Sequence, residues 1–147
     1  MQGYIIRHFS YLTCELDGSP AAFLKHSRRA LAGYQDACWL SGPVDIATGI
    51  HIEKIVVRQD CRGRGNGRAL YERVTKQFPL ESLHSFVAQS PCANTASTRF
   101  HEALGFHRVA TVPYELADGS WFLESLYVLE PAPEASTTGR HYQDCGA

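Results

Sequence analysis

The chain has 147 residues, of which 44% are hydrophobic and 20% charged, with a formal net charge of −1. That length suits one domain with a sizeable core, and the composition is that of an ordinary globular protein. A near-neutral balance excludes a broad nucleic-acid or membrane surface, so any anion site must be built locally from backbone and a few arginines. Five scattered cysteines (Cys14, Cys38, Cys61, Cys92, Cys145) include no C-x-x-C pair. They point to reduced thiols rather than a zinc site or a disulfide framework, and no metal is expected. No basic-then-apolar leader opens the sequence, and no apolar run approaches the ~18 residues of a membrane span, so a cytoplasmic location is expected.

Tyr4-Ile5-Ile6 is a short β-forming run, either an edge strand or a leader. Tyr11 to Leu16 reads as a strand, and Asp17-Gly18 after it is a hairpin signal that makes Ala21 to His26 the returning strand. The same stretch also reads as a helix, with Ser19 as N-cap, Pro20 at the first helical position and Phe23, Ser27 and Leu31 on one stripe. Local sequence leaves both open. Gly33 to Gly49 is an irregular connection of the kind that carries ligand-facing surface. His51 to Val57 is a strand, and a period of two puts His51, Glu53, Ile55 and Val57 on one face with Ile52, Lys54 and Val56 on the other.

From Gly67 the period changes. Leu70, Val74 and Phe78 recur every four residues, Glu72 and Lys76 form an i,i+4 pair, and Pro79 ends the helix. Leu83 to Gln89 is again strand-like, and a strand–helix–strand crossover implies a parallel pair. Asn94 is a suitable N-cap for a helix marked by Ala96, Phe100 and Leu104 and closed at Gly105, with Phe106 folding back. His107 to Val112 and Trp121 to Leu129 are strands joined across Asp118-Gly119. Residues 1–130 form the expected domain, and 131–147, small, polar and proline-bearing, an expected flexible tail.

The chemistry centres on Val56 to Leu70, where an apolar strand passes through Arg62-Gly63-Arg64-Gly65-Asn66-Gly67 into a helix. Glycines allow several amides to turn toward one point, and the helix N-terminus adds positive potential, which suits a phosphate or pyrophosphate. A Walker loop would end in Gly-Lys-Ser/Thr, whereas Arg68-Ala69 follow Gly67 here. A dinucleotide fingerprint needs G-x-G-x-x-G, whereas Gly63, Gly65 and Gly67 are spaced G-x-G-x-G. A plain glycine-rich turn is the remaining bland reading.

Arg62, Gly65 and Gly67 fall on the three defined positions of the Q/R-x-x-G-x-G/A loop of the GNAT superfamily of acyl-CoA-dependent N-acetyltransferases, which this stretch resembles. Asn94-x-x-Ser97-x-x-Phe100-His101-x-x-Leu104-Gly105-Phe106 resembles that family's N-x-x-A/S-x-x-F-Y-x-x-L-G-F segment. The resemblance spans Leu12 to Leu129, matches best over Glu53 to Phe106, and looks closest to a bacterial branch of undefined substrate. It implies an α/β (α+β) fold with a mixed, mostly antiparallel sheet, a central splayed parallel strand pair and flanking helices.

The family resemblance further implies acetyl-CoA as cosubstrate. Its pyrophosphate would lie on the amides of Arg62, Gly63, Arg64, Gly65, Asn66, Gly67 and Arg68, with Arg62, Arg64 and Arg68 adding charge. Main-chain groups of Ile55, Val56 and Val57 would pair with the pantetheine arm, and an amide near Val57 would polarise the thioester carbonyl. Asn94 is a further candidate contact, besides its capping role. The reaction would be direct transfer to an amine of a small molecule or peptide, with Glu53 or His51 as base and His101, where the family usually has tyrosine, as acid. Cys61 and Cys92 border the site without an activating partner.

The family usually opens with a strand and one or two helices, whereas about ten residues precede Tyr11 here. The N-terminal helices are therefore expected to be shortened, missing or replaced by Ser19 to Ala32, and a second copy forming a homodimer could cover the exposed surface. A catalytically silent acyl-CoA-binding module is the rival expectation. Acceptor contacts would come from Gly33 to Gly49 and from Val112 to Trp121.

Overall fold

A computed structural model describes residues 3–7, 10–28, 36–44 and 48–133. Among the described residues eight strands and two α-helices follow one another as β1 (Gly3–Arg7), β2 (Tyr11–Leu16), β3 (Ser19–Ser27), β4 (Cys38–Trp39), β5 (Ile50–Val57), α1 (Asn66–Gln77), β6 (Leu83–Ser90), α2 (Thr95–Ala103), β7 (His107–Glu115) and β8 (Trp121–Leu129). They build a single sheet in the order β1-β2-β3-β5-β6-β8-β7-β4. Only the β5–β6 contact is parallel; the other pairings are antiparallel. The mixed, mostly antiparallel architecture with one parallel pair agrees with the sequence expectation.

The open question over residues 20–32 is answered for 20–27 by pairing. Asp17 and Gly18 both have positive φ, 52° and 74°, the conformation of a tight hairpin turn that keeps the twist of its strands. β3 then pairs with β2 on one side and β5 on the other, burying Ala22, Leu24 and His26 at strand spacing. The helical stripe offers only Phe23 as an apolar group within those residues, less than the sheet buries. Residues 29–35 lie outside the described set, as do 45–47 within the expected connection and 134–147 of the expected tail. β1 is the edge strand that Tyr4-Ile5-Ile6 suggested. Among the described residues no α-helix precedes α1.

One expectation for β5 is corrected. Lys25 pairs with Lys54 but the next residue, His26, pairs with Ile52, so Glu53 is an extra residue and forms a β-bulge. The bulge resets the two-residue period. Ile50 and Ile52 before it and Ile55 and Val57 after it all meet the same core, against Leu70, Tyr71 and Val74 of α1. His51 faces the opposite side, with its ring 5.6 Å from that of Phe86. His51, Glu53, Ile55 and Val57 therefore do not share a face.

The bulge also bends β5 at the place where pairing to β6 stops. The parallel register runs Ile50↔Leu83, His51↔His84 and Ile52↔Ser85 and goes no further, although both strands continue. β5 is held by β3 to Val57, and β6 by β8 to Ser90. The two strands thus form a fork whose inner edges carry unpaired β-strand backbone. Helices α1 and α2 begin just beyond its two tips and cover one face of the sheet. The other face holds a second, smaller core of Val109, Ala110, Leu126 and Val128, with Trp39, Val44 and Phe86 packed on it.

Candidate active site

Beyond Val57 the chain makes one short 3-10 turn, Gln59–Cys61, and enters the glycine loop. Gly63 and Gly65 have φ of +70° and +82°, so both need glycine for conformational reasons. Gly67 is already helical, and its requirement is space, because Phe100 of α2 lies against it. Asn66 fixes the loop from below. Its side chain is buried, its Nδ2 donates to Cys61 O at 2.9 Å, and Cys14 Sγ stands 3.5 Å from its Oδ1. The helical hydrogen-bond ladder opens with the Ala69 amide donating to Gly65 O at 2.9 Å, so the preceding amides are not used by α1 itself.

The β5 limb of the fork, the loop, the start of α1 and one side of α2 line a cleft of about 690 Å³. Ile55, Val56, Val57, Arg62, Gly63, Gly65, Asn66, Gly67, Arg68 and Asn94 line it, so nearly all the residues picked out for acyl-CoA contact are brought to one place. Arg64 sits in the same loop, exposed, but does not line the cleft. Cys61, Ala96, Ser97, Phe100 and Ala103 complete the wall. The sequence reading placed Cys61 at the border of the site and did not assign the other four, although Ser97 and Phe100 stand in its second motif and the four-residue step from Ala96 to Phe100 puts both on one helix face.

Electropositive character has two sources. Both α1 and α2 present their N-terminal ends to the cleft, with the positive end of each dipole. Arg62 donates through Nε to Val57 O at 3.1 Å, and Arg68 through Nη2 to Ala103 O at 3.2 Å. Among the described residues no carboxylate pairs with Arg62, Arg64 or Arg68, so their charges are not neutralised by an ion pair. Asn94 caps α2, its Oδ1 accepting from Ser97 N–H at 3.0 Å, while its own amide donates to Ala88 O.

The proposed acid and bases lie elsewhere. His101 is 1% exposed and does not line the cleft. Its Nδ1 is 2.8 Å from Ser97 O, which can only accept, so the ring proton resides there; Nε2 therefore accepts from the Tyr71 hydroxyl at 2.8 Å. Burial lowers the His101 pKa and raises that of Tyr71. A neutral, fully engaged imidazole inside the core does not fit the expected acid role. The Tyr71 hydroxyl that engages its Nε2 lies thirty positions away in the chain, and nothing local to His101 signals it.

Glu53, on the bulge, is ion-paired to Lys25 at 2.6 Å. The hydrogen-bonded Lys25 ammonium lowers its pKa, which makes it a firmly ionised and weakly basic carboxylate. Neither Glu53 nor His51 lines the cleft. Both stand near the crotch of the fork, Glu53 on the bulge and His51 on the face away from the helices.

The GNAT acetyltransferase family model matches residues 4–106, and the chain belongs to that family. Solved structures share the fold. An N-acetyltransferase from Staphylococcus aureus Mu50 aligns at 22% identity over 82% of this chain and 66% of its own, with a TM-score of 0.56. The ribosomal-protein-S18-alanine N-acetyltransferase of Escherichia coli aligns at 19% identity over 91% and 73%, with a TM-score of 0.58. The yncA protein of Salmonella typhimurium, solved with its cofactor acetyl-CoA, aligns at 20% identity over 86% and 66%, with a TM-score of 0.58. The chain thus spans about two thirds of the first and third of these. No curated protein shows significant similarity to the sequence. No helix among the described residues is long and apolar enough to cross a membrane.

Proposed function

We propose that this chain transfers an acetyl group from acetyl-CoA directly to a primary amine of a small molecule or peptide. The observation that carries the reading is the fork between β5 and β6 opening onto a glycine loop where two helix N-termini converge. The residues present fit such a ligand: Gly67 lets Phe100 of α2 pack directly against the start of α1, and the loop amides precede the helical ladder. Acetyl-CoA would supply an acyl group already activated as a thioester.

The loop from Arg62 to Arg68 binds the pyrophosphate through backbone N–H groups, as anions bind at helix N-termini generally. The free edge of Ile55 to Val57 pairs with the pantetheine arm in the manner of an added strand. An N–H near Val57 would be available to the thioester oxygen, where negative charge would develop. His51 is the better-placed of the two base candidates, because Lys25 suppresses the basicity of Glu53. With His101 enclosed, the thiolate departs without a side-chain acid from that position.

His101's enclosure also favours a second reading, a silent acyl-CoA-binding module. Isothermal titration with acetyl-CoA tests both readings, and absence of binding rejects both. Release of free thiol in a panel of primary amines then distinguishes the enzyme from the module.

A further inference from the structure

On the sheet face away from the helices, Glu124 of β8 lies between Ala88 of β6 and Val112 of β7. Phe86 is opposite Leu126, and Tyr114 is opposite Phe122. A line from Phe86 to Tyr114 therefore crosses β8 at residue 124. Their rings meet in an edge-to-face contact, centroids 6.5 Å apart, and Tyr114 stacks on Phe122 at 5.1 Å. His51 continues the aromatic row on the far side of Phe86. A single carboxylate is thus set half-buried among three aromatic rings.

Among the described residues no basic side chain forms an ion pair with Glu124. Desolvation alone raises its pKa, the cost of enclosing a carboxylate without a cation. An ammonium group would satisfy that charge, and the rings would add cation–π attraction and apolar contact. Ala88, opposite Glu124 on β6, belongs to the limb that has parted from β5. From the carboxylate to the fork, the line crosses only a methyl group at that register.

We infer that Glu124, with Phe86, Tyr114 and Phe122, forms the acceptor site and takes a primary ammonium carried on an aromatic or arylalkyl group. This inference rests on the acetyltransferase reading, and it deepens it by naming the acceptor class. A carboxylate on the acceptor would oppose Glu124, so arylalkylamines are favoured over amino acids with the same ring.

The test uses the full chain and phenethylamine as probe, with phenylacetate and phenylalanine as comparators. Phenethylammonium should bind in isothermal titration, with phenylalanine weaker and phenylacetate undetectable. Glu124→Gln should weaken it about tenfold or more while leaving acetyl-CoA affinity unchanged. Equal binding by Glu124→Gln, or phenylacetate binding as well as phenethylammonium, overturns the proposal. Should that variant not fold, intermolecular NOEs on the wild-type protein decide: contacts from the probe ring to Phe86, Tyr114 and Phe122 support the site, and contacts confined to other residues overturn it. Failure of acetyl-CoA to bind would reject the acetyltransferase reading separately, because the probe is titrated without it.

Discussion

A Cβ added to Gly67 would stand 2.9 Å from Cζ of Phe100 and 3.1 Å from its Cε2. The two sequence motifs, the glycine loop and the helix ending Leu-Gly-Phe, are thus one packed unit. Gly67→Ala should cost about 1–3 kcal/mol through overpacking, less the roughly 1 kcal/mol gained from better helix propensity. Acetyl-CoA affinity should fall as well, since the displaced ring lines the cleft. Adding Phe100→Leu should recover part of the stability, and a double-mutant cycle by thermal unfolding measures the coupling.

Asn66 carries the next expectation. Its side chain ties the loop to Cys61 O from inside the core, so Asn66→Ala leaves that carbonyl unpaired. A loss of about 1–3 kcal/mol is expected by urea unfolding. Isothermal titration should show weaker acetyl-CoA binding, because the amides no longer converge.

Stability should fall on mild acidification. Burial lowers the pKa of His101, and of His26 against a smaller opposing effect of Glu53, so the unfolded chain binds more protons than the native one below the ordinary histidine value of 6.5. Stability is therefore full above pH 6.5 and declines as pH drops through it, until each folded pKa is reached. The slope is about 1.4 kcal/mol per pH unit for each histidine. Urea unfolding at a series of pH values should show His101→Gln with a shallower decline. The same variant should retain the wild-type pH–rate profile, since the His101 proton is committed to Ser97 O.

Glu53→Gln tests the remaining base candidate. Lys25 keeps Glu53 ionised well into acid, so its titration lies below the ordinary value of 4.5 and outside a rate profile taken between pH 6 and 9. The variant should keep the limb of that profile unchanged, and His51→Gln should remove it. Thiol release across that pH range measures both.

Much of this was readable in the sequence where the signal is local. The glycine spacing, the change of period at Gly67 and the Asn94 cap each need only a few neighbouring residues, and most of the residues they single out line one cleft. The misreadings were non-local. The bulge at Glu53 exists only through pairing with Lys25 and His26, and it reverses the face assignment of half a strand. His101 looked available because Tyr71 lies on another helix. Nothing in the local sequence marks Glu124, since its aromatic neighbours at 86 and 114 come from strands on either side of it.

The sheet consists of two four-stranded ribbons, β1-β2-β3-β5 and β6-β8-β7-β4, spliced only over Ile50–Ile52 and Leu83–Ser85. Beyond that splice the ribbons are free of each other's backbone. A ligand seated between the limbs would bridge them as a removable strand, acting as a mechanical brace as well as a reactant. Amides at Ile55 to Val57 and Phe86 to Ala88 should then slow their hydrogen exchange together, although they belong to different ribbons.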